Sequence, residues 1–166
     1  MQVFFLVLTV LMALVIFFDA TKYLIPNWLV GLVLVFYPVM VLMAHEHVNW
    51  LGALGVMLVV FGAGYGIYVK KWMGGGDIKL LTACTLWAGP MRTLDFLLVM
   101  ALLGGALALL LIVIRRALPW AAPAYAGSAK LPRMLVEGEP MPYGLAIAGA
   151  FLLLLWMQAL PGLTLH

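Results

Sequence analysis

The stretch VFFLVLTVLMALVIFF, Val3–Phe18, contains no charged residue, and the next position is Asp19. A soluble helix keeps one polar face; this run has none, so its natural solvent is lipid. Comparable apolar runs recur at Asn27–Ala44, Trp50–Val69, Ile78–Gly89, Thr93–Ile114 and Gly144–Leu160. Composition agrees. The chain is 67% hydrophobic and only 9% charged, against about 25% charged for a soluble domain. Its mean hydropathy is +1.18. The class is an all-α membrane protein, a polytopic bundle of about six transmembrane helices forming one integral-membrane domain over residues 1–166. No Lys or Arg precedes Val3, so the first run is expected to be a retained helix and not a cleaved signal peptide.

The fourth run is short. Twelve residues rise about 18 Å, against a hydrocarbon core of about 30 Å, so neighbours must cover its ends. The connection 115–143 has a different composition. It holds five of the nine prolines and four of the nine basic residues, and reads as a cytoplasmic Pro-rich loop at the membrane surface. If the first helix starts outside, then Lys22, Lys70, Lys71, Lys79, Arg115, Arg116, Lys130 and Arg133 fall on the cytoplasmic side and only Arg92 outside. That asymmetry fits the excess of Lys and Arg on the cytoplasmic side of membrane proteins, and with six spans it places both termini outside. The net charge of +3 therefore reports topology and gives no reason to expect nucleic acid. Gly62 and Gly66 form a small-xxx-small pair at which another helix could approach closely.

Topology brings two carboxylates to one level. The first helix ends at Asp19, and the turn KKWMGGGDIKL, Lys70–Leu80, delivers Asp77 to the start of the fourth helix at the same membrane face. Asp95 opens the fifth helix on the other side. Ionisable groups in membrane segments are costly and commonly functional. Two adjacent carboxyl groups tend to share one proton, and can then act as acid and base on one water. Gly74, Gly75 and Gly76 would let an extended peptide backbone approach, with φ > 0 open to them. On glycine count alone, the triplet reads as a flexible turn. Negative charge is favoured at a helix N-terminus and disfavoured at a C-terminus, so Asp77 is expected to be the ionised base and Asp19 to hold the shared proton.

These motifs resemble the prepilin peptidases. FFDATKYLIPNWL (Phe17–Leu29) is similar to that family's aspartate followed by a polar stretch and Ile-Pro-Asn. GGGDIKLL (Gly74–Leu81) matches its Gly-x-Gly-Asp motif, and MPYGLAIAGA (Met141–Ala150) resembles the Pro-Tyr-Gly segment of its short, tight-adherence (Flp pilus) members. The resemblance implies an aspartic endopeptidase of the bacterial inner membrane, with Asp19 and Asp77 as catalytic pair and a cytoplasmic active site. It further implies substrate-binding roles for Gly74, Gly75, Gly76, Pro142, Tyr143 and Gly144, with Pro26 and Asn27 starting the second helix. The expected partners are a prepilin or pseudopilin substrate and membrane lipid; no cofactor or metal is expected, and a homo-oligomer is compatible with the sequence. Longer family members carry a four-cysteine cluster and also N-methylate the new pilin terminus; this chain has one cysteine, which implies cleavage without methylation. Thr21 stands where Arg is common, leaving Lys22 as the only charge after Asp19 in that stretch.

Other features read plainly. His45 and His47 do not share a helix face and belong to an outer loop. Cys84 is a small apolar filler, and Lys79 is expected to snorkel toward headgroups. Glu137 and Glu139 lie in the cytoplasmic loop, solvated or placed to attract a basic leader. The alternative function is a small transporter or proton channel using paired carboxylates, distinguished by ion flux. A non-enzymatic assembly subunit would tolerate Asn at both positions.

Overall fold

The computed structural model describes residues 2–44, 48–121, 141–157 and 160. The expectations for His45–His47, for Lys130, Arg133, Glu137 and Glu139, and for 122–140 of the Pro-rich connection lie outside them. Every regular element among the described residues is helical: α1 (Gln2–Lys22), α2 (Asn27–Met43), α3 (Trp50–Val69), α4 (Gly75–Ala121) and α5 (Tyr143–Trp156). Three are long and apolar enough to cross a membrane, namely Gln2–Lys22, Trp50–Val69 and the stretch Gly75–Ala117, while α2 and α5 are shorter apolar helices.

The fourth and fifth apolar runs are one helical stretch with a single break. At Gly89 the backbone takes φ 65° and ψ 179°, a conformation that side-chain-bearing residues rarely adopt. Pro90 follows, and the residue before a proline is driven to extended ψ. Pro90 also suits the first position of a new helical limb, where its missing N–H costs nothing. Thr93 Oγ1 donates to the Gly89 carbonyl at 2.6 Å, and Arg92 pairs with Asp95 at 3.0 Å on the exposed side. The limb 90–121 runs past Arg115, where a loop was expected to begin. Arg115, Arg116, Ala117 and Leu118 are all good helix formers, and no stop signal precedes Pro119.

The short limb 75–88 is the centre of the bundle. From Leu80 to Ala88 every residue is buried, including Cys84 and Trp87. It needs no lipid-facing length because protein surrounds it. α4 packs on α3, α5 and α2, and α1 joins α5 and α2. Trp87 Nε1 donates to the Val33 carbonyl of α2 at 2.9 Å, and its ring meets Tyr37 edge-on at 5.4 Å. Phe96 and Phe151 make a second edge-to-face pair at 6.4 Å, between α4 and α5. Between helices in lipid such packing replaces the hydrophobic effect as the source of cohesion. The outward faces are apolar, with Val3, Leu6, Val10, Leu58, Val59, Leu102 and Leu109 all exposed.

The close approach in α3 is not where the small-residue pair predicts it. A Cβ at Gly62 or Gly66 would meet nothing within 4 Å, whereas one at Gly64 would lie 2.9 Å from Ile78 Cγ2. Two residues along a helix turn about 200°, so Gly64 faces inward when Gly62 and Gly66 face out.

Candidate active site

Two helix ends and three helix starts converge on one cavity of about 760 Å³, lined by Asp19, Tyr23, Ile25, Asn27, Tyr68, Lys71, Trp72, Gly74–Asp77 and Tyr143, with further apolar residues. Asp19 and Asp77 thus meet at one site although 58 positions separate them in sequence. Asp19 is only 4% exposed and Asp77 is half-buried.

Both ends that enter the cavity are closed by left-handed caps without glycine. After α1, the Tyr23 N–H donates to the Asp19 carbonyl at 3.1 Å, with Tyr23 at φ 52°. After α3, Lys71 N–H reaches Tyr68 O at 2.8 Å and Trp72 N–H reaches Ile67 O at 3.2 Å, with Lys71 at φ 58°. This is the paired Schellman arrangement. Lys70 Nζ lies 4.9 Å over the Trp72 ring and secures the turn. Left-handed geometry costs a non-glycine residue about 1–2 kcal/mol, and here both instances fall on the cavity wall.

The glycines serve close packing. None of Gly74, Gly75 and Gly76 has positive φ, so the conformational reason expected for them does not apply. Instead, a Cβ at Gly74 would lie 3.0 Å from Asp77 Oδ2, one at Gly75 3.3 Å from the Tyr68 ring, and one at Gly76 3.4 Å from Ile25 Cβ. Gly75 and Gly76 are in the first turn of α4, where backbone N–H groups lack intrahelical partners. Asp77, in that same turn, reaches back to the Gly74 N–H.

Asp19 is held differently. Its Oδ2 accepts the Leu145 N–H at 3.0 Å, and the Gly144 N–H also bonds its carboxyl group. The N-cap of α5 is Pro142, which supplies no side-chain cap. Asp19 therefore sits at the C-terminus of α1 and the N-terminus of α5 at once. A Cβ at Gly144 would fall 2.6 Å from Asp19 Oδ2 and 3.0 Å from Ile25 Cδ1. Of the three residues expected at the mouth of the last helix, Tyr143 lines the cavity, Gly144 backs onto Asp19 and Pro142 is buried at the cap.

Ile25, the first residue of the Ile-Pro-Asn motif, has no role assigned from sequence; the structure wedges it between Gly76 and Gly144. Lys79 is exposed, and its Nζ donates to Asn27 Oδ1 at 3.1 Å, which ties the start of α2 to α4. Leu145 acts through its backbone, which leaves no signature in a side chain.

Fold and site together define a helical membrane protein with two carboxyl groups from distant helices in one glycine-walled cavity. The chain belongs to the type IV leader peptidase family, whose family model matches residues 6–109. That match includes both aspartates and the glycine triplet, and ends before α5. No curated protein and no solved structure matches the chain. Family membership supports a leader peptidase activity and prepilin-type substrates in general.

Proposed function

We propose that the chain is an aspartic endopeptidase that removes the cytoplasmic leader from prepilins or pseudopilins of the Flp type, without methylating the product. The observation that carries this reading is the meeting of Asp19 and Asp77 in one cavity. The ionised carboxylate takes a proton from a water as its oxygen bonds to the scissile carbonyl carbon. The protonated partner donates to the carbonyl oxygen. The tetrahedral adduct then collapses: the C–N bond breaks, the leaving nitrogen takes up a proton, and the new carboxyl group departs. Gly74–Gly76 and Tyr143 line the cleft along which the substrate backbone lies, with Pro142 and Gly144 buried behind that wall. The six apolar runs support six spans, the Lys and Arg asymmetry supports both termini outside and the cavity on the cytoplasmic side, and the family resemblance supports the bacterial inner membrane.

The test is co-expression with candidate small pilins, with leader removal read by mass spectrometry. Cleavage by the wild type that persists in detergent, without an ion gradient, supports the peptidase. Ion flux in vesicles with every pilin left intact would favour the transporter alternative.

A further inference from the structure

We infer that the amino end of α5 is the positioning device for Asp19, with Gly144 and the Leu145 amide as positioning residues of the reaction. The inference rests on the peptidase reading above and adds a role that the family match, ending at residue 109, does not reach.

The first N–H groups of a helix need acceptors from outside it, and a side chain at the N-cap usually supplies one to the second or third residue. In α5 those residues are Gly144 and Leu145, and the N-cap is Pro142, whose side chain offers no acceptor and whose carbonyl takes only a longer bond, 3.3 Å, from the Leu145 N–H. The acceptor comes from α1, 126 positions away, as the carboxyl group of Asp19 at 3.0 Å from the Leu145 nitrogen. Hydrogen bonds are directional, so two backbone donors on one carboxyl group fix its plane. They also leave Asp19 Oδ2 facing the helix and present the rest of the group to the cavity. Gly144 is required by space: its missing Cβ is the volume that Asp19 occupies. The Pro-Tyr-Gly segment therefore works on the enzyme's own carboxylate before it meets any substrate.

The other titratable groups lining the cavity are Asp77 at the start of α4, Tyr23 after α1, Tyr68 and Lys71 at the end of α3, and Tyr143 on α5. Asp19 takes two backbone donors at a helix N-terminus and Asp77 takes one.

The clean variant replaces the Leu145 amide with an ester, by incorporating the α-hydroxy analogue of leucine at position 145. This removes the N–H and keeps the side chain. Leader cleavage should lose about ten- to hundredfold in kcat, the worth of one charge-assisted bond, with KM unchanged. The infrared carboxylate stretch assigned to Asp19, as the band lost in Asp19→Asn, should shift. Gly144→Ala should lose at least as much kcat wherever it folds. A merely structural cap would lower thermal stability and leave kcat alone. An ester variant with wild-type kcat, a loss confined to KM, or an unmoved Asp19 band would overturn the inference. If the wild type cleaves no leader, the peptidase reading fails, and the Asp19 band alone decides whether the amide holds the carboxylate.

Discussion

Each aspartate has its own backbone cradle, and that difference makes the residue-level predictions distinct. Asn at position 19 or 77 keeps the shape but removes the charge and the exchangeable proton. Asp19→Asn and Asp77→Asn should each lower kcat for leader cleavage by about 10²- to 10⁴-fold, the range for loss of a general acid or base. Circular dichroism in detergent should stay at the wild-type helix content. Retained cleavage in either variant would remove that residue from the mechanism. Lys71 poses the opposite case, since its left-handed backbone is unfavourable in the folded state. Lys71→Gly should raise the thermal midpoint, because glycine adopts this geometry without a steric penalty. The gain is offset by about 1 kcal/mol or less of extra unfolded-state entropy. A lower midpoint would show that the Lys71 side chain stabilises the turn by more than its backbone costs.

Helix faces decide which glycines matter. Gly64→Leu should drive α3 from the buried limb of α4, lowering both thermal midpoint and cleavage, while Gly62→Leu should leave both near wild type because its site is open. Equal damage from the two would place the α3–α4 contact elsewhere. At the break, Gly89→Ala forces a side chain into left-handed backbone at a cost of about 1–2 kcal/mol; differential scanning fluorimetry should register a lower midpoint with the active site intact. These cases also mark what was legible beforehand. Val3–Phe18 and its counterparts announce helices because uninterrupted apolarity has one stable form in lipid. Asp19 and Asp77 stand out because a carboxylate at the edge of such a run needs a reason. Spacing identified Gly62 and Gly66 as one face, but spacing does not say which face turns inward. The joining of two apolar runs through Gly89 was hidden because Gly-Pro looks like an ordinary stop.

Across the whole molecule, the bundle is organised around a limb that is buried by protein from Leu80 to Ala88. Limb 75–88 carries Asp77 at one end and the Gly89 break at the other, with buried side chains between. The proposed orientation puts position 71 in the cytoplasm and position 92 outside. In a Cys84→Ala background, single cysteines at these two positions should react with an impermeant maleimide from opposite faces of sealed vesicles. Reaction from the same face would refute the six-span arrangement.

The hydrogen bond between Asp19 and Leu145 has a consequence for biogenesis. The first helix leaves the ribosome well before α5, so its carboxylate waits while 126 further residues are made for the amide that it bonds. A nascent chain halted before Tyr143 would hold both acids and the glycine triplet yet lack the brace. Proteolytic competence would then arrive only with the closing helix, and half-made copies would leave neighbouring membrane proteins uncut.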